Sequence, residues 1–167
     1  MLGHASVAGL ISVEHARDTD RLVAWADELQ AAHERLREAL RVARESAAGG
    51  EDVAARDLLL YCHGFCVALQ GHHTAEDGGL FPELAARHPS LQPVIAILEQ
   101  DHAMIATLLT GLERALRSNP DVLELDRHLE GLAAIMESNF RFEERKLLDT
   151  LAMLRLDAEP ERLLGPL

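Results

Sequence analysis

The sequence predicts an all-α fold, an antiparallel up-down-up-down four-helix bundle, from three observations. Aromatic residues make up only 4% of the 167 residues, Ala and Leu dominate, and Pro and Gly collect in a few places; this composition favours long helices over sheet. Turn formers cluster at Ala47-Ala48-Gly49-Gly50, from Phe81-Pro82 to His88-Pro89-Ser90, and at Ser118-Asn119-Pro120-Asp121. Between these clusters, four segments repeat apolar residues every three or four positions.

The first helix is expected over about 16–47, where Leu22, Trp25, Leu29, His33, Leu36 and Leu40 fall on one line. The second, over 52–80, carries Leu58, Cys62, Phe65, Leu69, His72, Glu76 and Leu80, so two polar groups continue an apolar seam without a change of phase. The third, over 91–117, aligns Ile95, Leu98, His102, Ile105, Leu109, Leu112 and Leu116. The fourth, over 121–156, aligns Leu125, Leu129, Leu132, Met136, Asn139, Glu143 and Leu147. Short connections make successive helices antiparallel neighbours. The expected organisation is an N-terminal extension at 1–15, one bundle domain at 16–156 and a C-terminal tail at 157–167.

Bulk properties narrow the functional classes. An apolar content of 48% fills a sizeable core without disulfide staples. A net charge of −12 repels nucleic acid and anionic lipid, and neither is an expected partner. No apolar run approaches the roughly 20 residues of a membrane helix, and the N-terminus lacks a basic signal-peptide region, so a cytoplasmic location is expected. Cys62 and Cys66, spaced i,i+4 in an apolar run, read as core. The sequence leaves open a homodimer through exposed Ala and Leu surface.

Each of the four stripes is thus interrupted by residues able to bind a metal. A carboxylate buried alone in an apolar bundle costs several kcal/mol, and it neutralises or acquires a cation. Glu76 and Glu143 face that cost with no Lys or Arg on the stripes at their level, whereas His33, His72 and His102 are there. Imidazole with carboxylate suits iron, manganese or zinc, and the lack of nearby thiolate argues against a structural cysteine-type zinc site. His72 and Glu76 stack one turn apart, and Asn139 with Glu143 repeats that geometry on the fourth helix. His73 sits off the seam and is expected as a supporting or surface residue. Glu99 or Asp101 could orient His102, while Glu144 and Arg145 read as an outer charged face.

The segments AAHERLREAL, GHHTAEDGGLFPEL, EQDHAMI and NFRFEERKLL together resemble the hemerythrin-like, or HHE cation-binding, family over about 20–155. That resemblance implies a four-helix bundle holding one or two non-haem iron ions, usually a carboxylate-bridged pair, which bind dioxygen or react with oxygen and nitrogen species. Carried over by position, His33, His72, Glu76, His102 and Glu143 match the expected ligands, with His73 and Asn139 as further or supporting groups. The sequence departs from the family where Asn139 stands in place of a helix-four His and Ala106 follows His102 by one turn.

The expected function is a non-haem iron protein, diiron or mononuclear, that binds or reacts with dioxygen, peroxide or nitric oxide. The departures favour reactivity or sensing over reversible carriage. Whether it is an enzyme is not decided by the sequence; an enzyme of this kind would be a non-haem iron oxidoreductase. A different class of reading is a metal-depleted interaction or regulatory module with a degenerate site, motivated by Asn139.

Overall fold

Two hydrophobic clusters, separated by one polar layer, organise the chain. In a computed structural model the described residues are 8–48, 55–118 and 120–166, with side-chain environments described for 25–48, 59–118 and 120–166. Stripe positions Leu22 and Leu58, the histidines His4 and His15, and the turn residues Gly49, Gly50 and Asn119 therefore lie outside those descriptions.

Every secondary-structure element among the described residues is helical, with no strand. Helix α1 spans Ala8–Ala48 and α2 spans Ala55–Ala75; a π turn at Glu76–Leu80 leads directly into α3, Phe81–Arg87. A 3₁₀ turn at Pro89–Leu91 precedes α4, Gln92–Arg117, and then come α5, Val122–Ala152, and a short α6, Pro160–Leu164. α1 packs against α2 and α5, and α4 packs against α5 and α2. No helix among the described residues is long and apolar enough to cross a membrane.

Several boundaries differ from those expected. α1 begins at Ala8 rather than near 16, so residues 8–15 belong to the helix rather than to an extension. Phe81-Pro82 does not end the second helix, because Pro82 enters through a π turn in which the Phe81 N–H bonds to the Glu76 carbonyl. A proline inside a helix clashes with the carbonyl four residues earlier and removes a hydrogen bond, and a widened turn relieves both. Helicity then persists to Arg87, where His88 leaves helical geometry ahead of Pro89. At the other end of the bundle, the Asp121 carboxylate caps α5 by accepting the Glu124 N–H at 2.7 Å.

α5 stops at Ala152 rather than 156, and the expected tail is no free appendage. Leu154, Leu163 and Leu164 are buried, and α6 packs against α2, the π turn and α1. The docking is apolar: these leucines join Trp25, Leu29, Leu80, Phe81, Leu84, Ile95, Leu98, Leu147 and Leu151 in one cluster. The second cluster gathers Leu36 and Leu40 of α1, Phe65 and Leu69 of α2, Ile105 to Leu112 of α4, and Leu125 to Phe140 of α5. Fully burying each such side chain stabilises the fold by about 1.5–3 kcal/mol. Cys62 and Cys66 belong to this second cluster, and burial pushes their thiols up to about 11 and about 12, so they pack as neutral hydrophobes.

Candidate metal centre

The polar layer lies at the break between the clusters. His33 falls between Leu29 and Leu36 on α1, His72 and Glu76 between Leu69 and Leu80, His102 between Leu98 and Ile105, and Asn139 with Glu143 between Met136 and Leu147. All six side chains are buried, and so is His73. Depth alone does not make a site, but directed polar atoms do.

Three imidazoles are held from behind in the same manner. His33 Nδ1 lies 2.8 Å from the Glu144 carboxylate, His72 Nδ1 lies 2.7 Å from the Leu164 carbonyl, and His102 Nδ1 lies 2.7 Å from the Asp77 carboxylate. Carboxylates and carbonyls only accept, so each Nδ1 must donate, and in the neutral ring each Nε2 keeps its lone pair. Those Nε2 atoms face acid groups: His72 Nε2 is 3.2 Å from Glu76 Oε1, His102 Nε2 is 3.7 Å from Glu76 Oε2, and His33 Nε2 is 3.5 Å from Glu143 Oε2.

These approaches do not satisfy the atoms involved. Among the described residues, every buried side-chain polar atom without a hydrogen-bond partner belongs to this layer: Nε2 of His33, His72, His73 and His102, both oxygens of Glu76 and Glu143, and both amide atoms of Asn139. Each unmet buried polar atom costs about 1–3 kcal/mol, and charged ones more. A group of such atoms from four elements, left unpaired by every neighbouring donor and acceptor, fits a cation. Ligand atoms of His33, His72 and Glu76 lie within 4.8 Å of one another, and so do those of His73, Glu76 and His102. Glu76 belongs to both groups.

The electrostatics follow from burial. Burial pushes Glu76 well above the usual carboxylate range, and the facing Glu143 carboxylate adds to that. Burial pushes Glu143 the same way, but the proximity of His33, whose Nε2 lies 3.5 Å from Oε2, outweighs it and holds Glu143 low. His33 is raised because Glu143 and Glu144 overcome its desolvation. Desolvation depresses His72 to about 4, with help from the charge of His33, and lowers His73 well below its usual value. Both are therefore neutral, the form in which imidazole binds metal.

Set against the sequence reading, all five expected ligands are buried in one layer, and Glu76 meets His72 and His102. Asn139 shares that layer one turn before Glu143 but hydrogen bonds to none of the group. Three expectations need correction. His73 is not a surface residue: it is buried, its ring stacks on His102 at 3.9 Å and 9°, and it belongs to the second group of candidate ligands. The packing of α2 against both α1 and α4 is the reason: the adjacent rings are covered from two sides, His72 lying edge-on to His33 and His73 stacking on His102. His102 is oriented by Asp77 rather than by Glu99 or Asp101. Glu144, expected on an outer face, accepts from His33 and is held by Arg37 at 3.2 Å, a contact made across 111 positions that no local pattern encodes. Phe140 closes the layer by stacking on His33 at 3.8 Å.

The family profile described as Hemerythrin HHE cation binding domain matches residues 26–151. The chain belongs to the hemerythrin HHE cation-binding family. Its matched span takes in every member of the polar layer and stops short of α6. Comparison with curated proteins and with solved structures gave no significant match. Membership in the hemerythrin family and the unpaired His and Glu atoms agree on cation binding, with iron the usual metal of that family.

Proposed function

We propose that this hemerythrin-family chain is a non-haem diiron protein that binds or reacts with a small oxidant such as dioxygen, peroxide or nitric oxide. One observation carries the reading: Glu76 is common to two ligand groups, one completed by His33 and His72 and the other by His73 and His102. Glu76 would bridge two ions, with Glu143 supplying a second carboxylate beside His33. Two buried carboxylates and four imidazoles suit a pair of divalent ions in both charge and donor type. The alternation of chain ends between the two clusters supports an up-down-up-down antiparallel arrangement of α1, α2 with α3, α4 and α5 as the scaffold.

Bound iron would supply redox chemistry toward the oxidant. The chain's own residues do the rest. Glu144, the Leu164 carbonyl and Asp77 hold three Nδ1 protons and so keep three Nε2 atoms aimed inward. Phe140, Phe81 and the flanking leucines exclude water. Asn139, an uncharged amide in place of an imidazole, leaves the set of nitrogen ligands short, which favours reaction or sensing over carriage.

The test is iron stoichiometry together with the optical spectrum in air, for the wild type and for Glu76→Gln. Close to two iron per chain in the wild type, with both lost in the variant, is the expected result. One iron per chain would make the centre mononuclear. A metal-free protein whose stability does not respond to iron would favour the other reading, a regulatory module in which His33 pairs as a cation with Glu143 and Glu144.

A further inference from the structure

The segment after α5 folds back over the centre and is built for close approach. Gly165 has φ +82°, a conformation that L side chains rarely adopt, and a Cβ there would lie 2.8 Å from the Gly71 carbonyl oxygen and 2.9 Å from His72 Cα. A Cβ on Gly79, inside the π turn that carries Glu76, would lie 2.8 Å from Leu163 Cδ2. The backbone of this segment thus rests directly on α2 at His72, and its leucine rests on the π turn. The Leu164 carbonyl completes the contact by accepting from His72 Nδ1 at 2.7 Å. None of this segment falls within the family match, which ends at residue 151.

We propose that Leu154–Pro166 is a latch on the metal centre. While docked, it fixes the His72 tautomer and covers the turn bearing Glu76. Undocking frees the His72 ring and opens this side of the layer, so the latch sets how fast metal enters and leaves. The proposal rests on the reading above that His72 is a ligand. Its logic is that of any outer partner of a metal-binding histidine, whose loss costs roughly ten- to a hundred-fold in metal affinity.

Two variants undock the segment without altering a ligand: Gly165→Ala, whose methyl group collides with the α2 backbone, and deletion of residues 159–167. A control, Leu125→Ala, weakens the far hydrophobic cluster instead. Each protein is loaded with ferrous iron and transferred into a chromogenic ferrous chelator, and the release rate is compared with the melting temperature of the metal-free form. Both latch variants are expected to release iron roughly ten- to a hundred-fold faster than the wild type, and faster than a control of equal melting temperature. Release no faster than the control's would overturn the latch while leaving the metal reading intact. A deletion with no cooperative melting transition would show the segment to be core, and would overturn the latch as well. A wild type that takes up no iron would instead remove the functional reading on which the latch depends.

Discussion

At the scale of single residues, the layer's behaviour comes from putting titratable groups where water cannot reach. Glu76 and His33 have raised folded-state pKa values, so the stability they contribute is present at low pH and is lost as pH rises. His72 is depressed from 6.5 to about 4, so its contribution is full above about 6.5 and is lost as pH falls toward 4. A cation replaces the protons on Glu76 and His33. The rise in melting temperature caused by iron should therefore be larger near pH 8 than near pH 6, and equal increments at the two pH values would contradict the assignment. His73→Ala is expected to lower iron content from two per chain toward one, measured by elemental analysis; unchanged content would return His73 to a packing role. Asn139→His should raise iron occupancy at limiting metal, and identical titration curves would place residue 139 outside the ligand set.

At the scale of elements, the π turn sets the phase of Leu80, Phe81 and α3 relative to the face of α2 that carries His72. Cys62, Phe65, Leu69, His72 and Glu76 were legible as a stripe because straight helical periodicity holds up to that turn. His73 was not, since its burial depends on α4 lying against the flank of α2, which periodicity along one helix cannot express. Deleting Gly78 removes one residue from the turn. The expected result is helical content retained by circular dichroism with most iron binding lost, because the ligands rotate relative to Leu80 and Phe81. Retained iron would show that the turn does not set the ligands' phase. The cap on α5 is a separate matter: Asp121→Ala should cost about 1 kcal/mol of stability, read from chemical denaturation, with iron binding unchanged.

At the scale of the whole molecule, an unpaired polar layer between two apolar clusters is a cost that a bound cation would offset. A ligand that binds only the native state stabilises by mass action, about 2.7 kcal/mol at a free concentration one hundred times Kd. Chelation should lower the melting temperature, and iron should raise it progressively with concentration. A melting temperature indifferent to both would mean that the layer is stable empty.

Helicity, the four apolar stripes and their interruption by His33, His72, Glu76, His102, Asn139 and Glu143 were all legible in the amino-acid order. They were so because helical periodicity is local, and each stripe can be read within a few turns. Only the tertiary structure decided that Glu76 is shared between two groups, that Glu144 and Asp77 rather than nearer acids hold His33 and His102, and that the segment beyond α5 closes over His72. Those facts depend on where separate helices come to lie in space, and contacts between residues 92 or 111 positions apart leave no trace in local spacing.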